Sequence, residues 1–334
     1  MAVGKAKAVP PDRAGEEFQF KVPSLTEINP KRIHEYLRRD HFFWLDLTDL
    51  DHEQLERLRE LFHLHPLAIE DSGEFGQRPK LDNYGDYAFL VFYGAWEERP
   101  QGSEDLSEVH MFISGKYLIT IHRGQLAALD QLREQLDGQM LHSEQFLLYR
   151  VFDALTDSFF PRLSDIDDEI DTLEDAVVAN PTDRDLDRLF SIKRQLVAMR
   201  KVVTPQRDLF ARSIDQIAEL PGLLLDERDY FRDVYDHLIR ISDLIVSYRD
   251  LMSGATDLYL STISNRQNEV MKQLTIIATI FLPLSFITGF FGQNFAYMVT
   301  HLINREWTFW IVGVGSMVAT CVGLLIYFRR KGWV

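Results

Sequence analysis

Two long uncharged runs near the C-terminus constrain this chain more than any other feature. Gln273–Phe291 has nineteen residues and Trp307–Phe328 has twenty-two, and neither run contains a charged side chain. A helix of nineteen residues is ~28 Å long, close to the thickness of the hydrocarbon core of a bilayer. The pattern therefore predicts two transmembrane helices, 273–291 and 307–328, joined by an external loop, 292–306.

Basic residues flank the two predicted spans on the same side. Lys272 precedes the first span, and a basic tail, 329–334, follows the second. The positive-inside bias places these basic residues in the cytoplasm. We therefore expect a multi-pass protein of the cell (inner) membrane, embedded in the lipid bilayer, with both its N- and its C-terminus in the cytoplasm.

The composition agrees with a large soluble part and a small membrane part. The formal net charge is -15 and 46% of the residues are hydrophobic. An acidic chain of this kind is repelled by nucleic acid, so we expect no nucleic-acid partner. The single cysteine, Cys321, lies in the second predicted span and excludes an intrachain disulfide.

The first part of the chain alternates between strand and helix signals. Residues 1–19 have no periodic apolar pattern, and we expect them to form a mobile tail. Residues 20–140 predict a cytoplasmic α/β domain with a mixed sheet. The predicted strands are Phe42–Leu47, Tyr87–Trp96 and the two arms of a hairpin over 109–122 that turns at Ser114-Gly115-Lys116. The predicted helices are Pro30–Arg39, the segment after Asp51 to Phe62, and Leu126–Leu136.

The second part of the chain has a helical pattern throughout. Asn180-Pro181 predicts a break between the two arms of a helical pair, 141–225, which Pro221-Gly222 ends. A stalk helix, 226–272, then continues without proline into the first span. Apolar or small residues recur along it at helical spacing, as packing in a bundle requires. They are Leu238, Ile241, Leu244 or Ile245, Tyr248, Leu251 or Met252, Ala255, and Leu258 or Tyr259.

Two spans per chain cannot enclose a pore. Several copies must therefore surround an axis if ions are to cross, and closed cyclic symmetry is the usual solution. The predicted fold class is an α+β cytoplasmic domain followed by a long-helix stalk and two C-terminal transmembrane helices, assembled as a homo-oligomer.

Several motifs of this chain resemble the CorA family of divalent-cation transporters. They are HPLAIED (65–71), QRPKLDNYGDY (77–87), DDEID (167–171), FRDVYDH (231–237), NEVMK (268–272), LTIIATIFLPLSFITGFFGQN (274–294), YM (297–298) and the basic tail ending in Trp333. The resemblance extends from about Ile28 to Val334. It implies a funnel-shaped homopentamer with a central pore that passes Mg2+. Co2+ and Ni2+ are further candidate ions for the same pore.

The family signature at the end of the first span is Gly-Met-Asn, and this chain has Gly292-Gln293-Asn294 instead. The resemblance makes this tripeptide the selectivity filter. Carboxamide oxygens hold a hydrated Mg2+ ion without trapping it, because Mg2+ prefers oxygen ligands and sheds its waters reluctantly. Gln293 either changes the ion preference or only stabilises the loop. Without the family context, the same tripeptide is typical of a helix C-terminus and turn.

One stripe that runs from the end of the stalk helix into the first span predicts the pore wall. Asn268, Met271, Leu274, Leu282 and Ser285 recur every three or four residues, or multiples of this, and share one helical face. By resemblance, the three apolar members form the constriction and Asn268 a cytoplasmic polar ring. Apolar side chains close such a path by dewetting. Helix packing is the alternative explanation of the same spacing.

Acidic residues supply the second candidate site. The segment 153–187 is rich in Asp and Glu, which usually indicates a solvated helix face. The resemblance implies instead that a few carboxylates, Glu70, Asp71, Asp153 and Asp233, bind intracellular Mg2+ at subunit interfaces. Mg2+ would then be the transported ion and also the regulatory ion. Its binding to these carboxylates would favour the closed ring.

Other functions remain as alternatives or are disfavoured. A Zn2+ transporter of the same superfamily and a non-conducting membrane-anchored sensor of divalent ions share the predicted architecture. His63 and His65 have a spacing that is too common to indicate a metal site. The sequence has no Walker pattern and no nucleophile elbow, so we expect neither an enzyme nor an organic cofactor.

Overall fold

The computed structural model describes residues 21–96, 106–136, 141, 144–218, 228–293, 296, 300–301 and 307–333. The predicted tail 1–19, the turn at Pro221-Gly222, Asn294 and most of the predicted external loop lie outside these residues. The chain divides into two compact units. One comprises residues 1–175 and 183–255, and the other 176–182 and 256–334.

The first unit contains a six-stranded mixed sheet. Its order is β1-β2-β6-β5-β4-β3, with parallel pairing of β1 with β2 and of β2 with β6, and antiparallel pairing elsewhere. The strands are β1 Ser24–Leu25, β2 Phe43–Thr48, β3 Lys80–Asn83, β4 Ala88–Ala95, β5 Leu106–Ile113 and β6 Tyr117–His122. Every residue of β4 and β5 is buried, so both faces of the central sheet are covered.

The first helices begin and end at residues that cap them. α1, Pro30–Arg39, follows Asn29, whose side chain accepts a hydrogen bond from the Arg32 N–H, and it has proline at its first turn. α2, His52–Phe62, begins with a capping box formed by Asp51 and Gln54. Both helices have the bounds that the sequence predicts. α3, Pro66–Gly73, follows α2 and was not predicted.

The remaining predicted elements of the sheet region are confirmed, with small differences. Each predicted strand or helix end lies within one residue of the observed one, except that β5 begins at Leu106. The hairpin turns at 114–116, where the Ser114 N–H donates to the Tyr117 carbonyl. α4, Ala127–Leu136, closes this region. Two short strands, β1 and β3, were not predicted because each is defined by its pairing with a neighbour.

Three helices follow the sheet: α5 Glu144–Asp157, α6 Phe159–Ala179 and α7 Asp183–Ala218. The gap between α6 and α7 confirms the break predicted at Asn180-Pro181. α7 continues through Pro205, and the next side chain, Gln206, is fully buried. Gln206 accepts from the Tyr93 N–H (2.7 Å) and donates to the Tyr93 carbonyl (3.3 Å), which ties α7 to β4.

α8 is a single helix of 64 residues, Arg228–Phe291, as the absence of proline before Pro283 predicts. Its buried positions decide between the alternatives left open by the sequence. Ile245, Met252 and Tyr259 are buried, whereas Leu251 and Leu258 are exposed. The buried residues are therefore spaced by seven along this part of the helix, which is the spacing of a coiled-coil seam.

The last helical segment is long and apolar enough to cross a membrane, as is α8. It starts as a π-helical stretch, Thr308–Val314, and continues as α9, Gly315–Arg330. After α9 the Trp333 N–H donates to the Phe328 carbonyl, and the two rings stack at 5.8 Å. The fold class is confirmed: a mixed α/β sheet with helices, a long helix and two C-terminal apolar helices.

Candidate metal centre and membrane helices

Acidic residues and a histidine from α5 and α8 meet in the first unit. Asp153 and Asp157 lie one turn apart on α5, and Asp233 and His237 lie one turn apart on α8. His237 Nδ1 is 2.8 Å from Asp157 Oδ1 and 3.8 Å from Asp153 Oδ1, and its Nε2 is 3.9 Å from Asp233 Oδ1. Tyr149 donates a hydrogen bond to Asp233 at 3.3 Å. The structure thus brings together two of the predicted regulatory residues, Asp153 and Asp233.

This cluster has the donor set and the spacing of a divalent-cation site. One ligand atom each from Asp153, Asp157 and His237 lies within 4.8 Å of the others. Asp157 Oδ1 and His237 Nδ1 are shielded from solvent, yet they have no aligned hydrogen-bond partner. Buried polar atoms are normally paired, and an ion coordinated by both atoms would satisfy them. Two carboxylates and one imidazole therefore fit a bound divalent ion.

Electrostatics inside the cluster point the same way. Burial, reinforced by the charges of Asp157 and Asp233, raises the pKa of Asp153 to about 6. Burial and the negative charges of Asp153 and Asp233 also raise the pKa of Tyr149 to about 12. Both shifts show that negative charge is costly at this place. A divalent cation would remove that cost.

The other two predicted regulatory residues, Glu70 and Asp71, lie on α3. They line an open cleft together with Asp82 and Tyr84. Lys80 Nζ is 2.5 Å from Asp71 Oδ2 and 3.5 Å from Asp82 Oδ2, so an ammonium group already faces the Asp71 carboxylate. The partners of Asp71 thus differ from those of Asp153 and Asp233.

A buried acid holds the loop that connects α3 to β3. Glu108, on β5, accepts hydrogen bonds from the N–H groups of Gly76 and Gln77 and lies 2.8 Å from His110 Nε2. Burial favours its neutral form, but hydrogen bonds from His110 and Gly76 lower the pKa of Glu108 below its ordinary value. Gln77 Nε2 in turn donates to the Asp71 carbonyl at 2.5 Å. Glu108 therefore fixes the C-terminal end of α3.

The two histidines before α3 have structural roles. His63 ends α2 with a left-handed backbone conformation (φ 54°). His65 begins α3: its Nδ1 accepts from the Leu67 N–H at 3.2 Å, and its ring stacks on Tyr84 at 5.1 Å.

The predicted pore residues all lie on the exposed surface of α8. Asn268 and Ser285 are exposed, as are Met271 (59%), Leu274 (58%) and Leu282 (72%). Large apolar residues outside the predicted stripe are equally exposed, and they include Val270, Ile277, Phe281 and Phe286. The helix is therefore apolar and exposed on several faces within one chain. An apolar surface of this size is unstable in water.

The predicted filter begins where α8 ends. The Gly292 N–H donates to the Thr288 carbonyl at 2.9 Å, and the Gln293 N–H donates to the Phe290 carbonyl at 3.3 Å. A Cβ at position 292 would lie 3.1 Å from the Thr288 carbonyl oxygen, so a larger residue crowds this turn. A mainly apolar cavity of about 390 Å3 lies between Gly292 and the π-helical stretch.

Sequence reasoning missed Asp157, His237, Lys80 and Asp82. A local signal existed for the first two, because each lies four residues after a predicted ligand in a helical segment and so shares its face. For Lys80 and Asp82 the signal was weaker. They alternate along a strand that the sequence analysis did not identify.

Known proteins resemble this chain over most of its length. The family of CorA-like Mg2+ transporter proteins matches residues 39–330. The cobalt/magnesium transport protein CorA of Thermotoga maritima is 35% identical over 326 residues, covering 96% of this chain and 90% of that protein. The structure of the CorA magnesium transporter from Methanocaldococcus jannaschii superposes with a TM-score of 0.74 and 25% identity, covering 87% of this chain and 91% of that one.

A more distant likeness concerns the fold alone. The ZntB cytoplasmic domain from Vibrio parahaemolyticus has a TM-score of 0.55 and 16% identity, over 66% of this chain and 88% of that one. The match over residues 39–330, together with 35% identity to the Thermotoga protein, shows the family. The chain belongs to the CorA-like Mg2+ transporter proteins.

Proposed function

We propose that this chain is one subunit of a channel that passes hydrated Mg2+, and also Co2+ or Ni2+, down its electrochemical gradient. The observation that carries the proposal is α8, Arg228–Phe291, because this one helix bears both His237 of the candidate metal cluster and the predicted pore stripe. We infer that ion binding near the start of this helix is coupled to its predicted pore-lining part. The inward movement of a divalent cation across 100 mV is worth ~4.6 kcal/mol, so no nucleotide is required.

The exposed apolar surface supports assembly into a ring. Two apolar helices per chain leave residues such as Leu274 and Phe286 uncovered, and lipid and neighbouring copies would cover them. The polar Ser285 favours a water-filled axis, because polar groups in a span usually face such a cavity, and Asn268 lies on the same helical face just before the span. The proposed assembly is a homopentamer in the cell (inner) membrane, with both termini cytoplasmic and no organic cofactor.

Transport is tested in proteoliposomes that contain the purified protein, a Mg2+-sensitive dye inside and a negative internal potential. Wild-type protein is expected to admit Mg2+, and Asn294→Ala is expected to abolish or strongly reduce uptake. Asn265→Ala is the matched control, because Asn265 is an exposed carboxamide of α8 outside the filter and the pore stripe. Normal uptake and ion preference in Asn294→Ala would remove Asn294 from the filter.

We propose further that intracellular Mg2+ closes the channel through the carboxylate clusters. In each site, Asp153, Asp157, Asp233 and His237 of one subunit would bind the ion. Glu70 and Asp71 of a neighbouring subunit would complete the site across the interface. Bound Mg2+ would offset the burial and the repulsion by Asp157 and Asp233 that raise the pKa of Asp153. Asp233→Ala and Asp71→Ala should both weaken inhibition by internal Mg2+, whereas the exposed Asp243→Ala should not. Unchanged inhibition in the Asp71→Ala/Asp233→Ala double variant would refute this regulation.

The same assay decides between this function and its alternatives. The imidazole of His237 is a ligand that suits Zn2+ or Co2+ better than Mg2+. This ligand is the observation that favours a Zn2+ transporter as the alternative function. Uptake of Zn2+ without Mg2+ would identify that activity and a substrate change at Gln293. No uptake of any divalent cation, with ion binding retained, would identify a non-conducting sensor.

A further inference from the structure

Lys80 occupies the place of a cation at the Asp71 carboxylate. Its Nζ lies 2.5 Å from Asp71 Oδ2, and about a third of each side chain is exposed. Lys80 comes from β3, the edge strand of the sheet, while Asp71 comes from α3. Two separate elements thus bring an ammonium group to a carboxylate that we propose as a ligand of regulatory Mg2+.

The edge strand also supplies a second acid to the same cleft. Residues 80 and 82 point to the same side of β3, because side chains alternate along a strand. Asp82 Oδ2 lies 3.5 Å from Lys80 Nζ, and Lys80 Nζ also lies over the Phe89 ring at 5.6 Å. Lys80 therefore keeps two other partners, Asp82 and the ring of Phe89, if an incoming ion takes Asp71.

The cleft carries a net negative charge within one chain. Glu70, Asp71 and Asp82 line it with three carboxylates, and Lys80 supplies one ammonium. The sum of these four charges is two negative charges, so the cleft attracts a cation. An ion at Asp71 must nevertheless approach a carboxylate that is already neutralised, and it is repelled by the ammonium until that group moves.

We propose that Lys80 is a built-in competitor for the regulatory ion and sets the Mg2+ concentration at which the Asp71 site fills. This inference rests on the regulatory function proposed above. A sensor of an abundant ion must bind weakly enough to remain partly empty at the working concentration, since a saturated site responds to nothing. Competition by Lys80 supplies that weakness without removing a ligand, and Asp82 holds the displaced ammonium.

The test is a Mg2+ titration of the purified full-length protein in detergent, read as the rise of its thermal unfolding temperature. A ligand that binds only the folded state stabilises it in proportion to its occupancy, so the midpoint of the rise reports affinity without measuring transport. Removal of a competing unit charge ~4 Å from the ion should lower the midpoint in Lys80→Met by about fivefold or more. Lys80→Arg keeps the charge and should stay within about twofold of wild type.

Three further variants separate the possible explanations. Lys116→Met is the matched control, because it removes a surface lysine that pairs with Asp40 3.3 Å away, and its midpoint should not change. Asp82→Asn should raise the midpoint, because it removes the partner that receives Lys80. Asp71→Asn should remove the part of the rise in unfolding temperature that Mg2+ binding at this site produces.

Each result supports or refutes a defined statement. A midpoint in Lys80→Met equal to that of wild type, with the response lost in Asp71→Asn, would refute competition by Lys80 and leave the regulatory site intact. A wild-type midpoint in Asp71→Asn would refute the regulatory site on α3, and the proposal for Lys80 with it. A midpoint that is lower than wild type in Lys80→Met, together with a midpoint close to wild type in Lys80→Arg, would establish that Lys80 competes with the ion.

Discussion

Phenylalanine has opposite environments in the sheet and in the membrane-spanning part of α8. Phe89, Phe92 and Phe112 are completely buried between the strands and their covering helices, whereas Phe281 (63%) and Phe286 (72%) are exposed. The sheet region buries its apolar side chains within one chain and so can be stable by itself. The span does not do so within one chain, and we propose that lipid and other copies of the chain cover it.

The largest expected effect contrasts the two environments directly. Phe112→Ala should lower the free energy of unfolding by about 3–5 kcal/mol, because it leaves a cavity beside Phe89, whose ring centroid lies 5.1 Å away. Phe286→Ala, the matched control, removes the same atoms from a side chain that its own chain leaves exposed, so it creates no cavity within the chain and should cost less. Denaturant unfolding of the detergent-solubilised protein measures both, and equal losses would contradict the contrast.

The next effect concerns a polar group inside the sheet region. Glu108→Gln removes the charge that receives the Gly76 and Gln77 N–H groups, and it should cost about 2 kcal/mol, as for hydrogen bonds to a buried charged group. Amide hydrogen exchange in the segment 74–79 should accelerate. The control Glu56→Gln breaks a partly exposed pair with Arg59 and should cost less than about 1 kcal/mol. Unchanged exchange in Glu108→Gln would show that Glu108 does not fix the loop.

A smaller effect is expected at the C-terminal end of α8. Gly292→Ala places a Cβ 3.1 Å from the Thr288 carbonyl oxygen, so the turn into the predicted filter must shift and Mg2+ uptake should fall several-fold. Gly254→Ala, in the middle of the same helix, has nothing within 4 Å and should keep normal uptake, with stability higher by about 0.5–1 kcal/mol. Normal uptake in Gly292→Ala would show that the turn tolerates the shift.

The smallest effect is the pH dependence that His122 contributes in the sheet region. Burial disfavours charged His122, but Asp46, whose Oδ1 is 3.2 Å from His122 Nε2, raises its pKa above the ordinary value. A raised pKa contributes stability that is complete below about pH 6.5 and is lost as the pH rises through the folded-state pKa. The unfolding temperature should therefore decline over this range.

His122→Gln should flatten that decline, because glutamine does not titrate. His41→Gln is the control, because His41 is exposed. The uncharged run 273–291 contains no titratable side chain and cannot produce the effect. A decline of the same slope in His122→Gln would assign it to another group.

Local sequence signals predicted elements whose ends are capped or whose pattern is long. α1 and α2 were predicted with their observed bounds because Asn29, Pro30 and Asp51 mark their starts. β3 was missed because Lys80–Asn83 is short and polar and is a strand only by pairing with β4. α7 was predicted, but its passage through Pro205 depends on tertiary contacts that the local pattern does not contain.

The candidate sites divide in the same way. The positions of the pore stripe on one helical face follow from spacing, and Gly292 and Gln293 follow from a local tripeptide. Asn294 and the filter that it would complete remain predictions. Glu70, Asp71, Asp153 and Asp233 came from the resemblance to the CorA family, and their joint role as a regulatory site also remains a prediction.

The sequence by itself determined that the chain has two helices able to span a membrane, because apolar length is a property of consecutive residues. Only the tertiary structure decided that His237 meets Asp157 at 2.8 Å and that Lys80 faces Asp71 at 2.5 Å. Asp157 and His237 are 80 positions apart and lie on different helices. Their distance depends on how side chains pack around a common core, and packing is a collective property that no local pattern encodes.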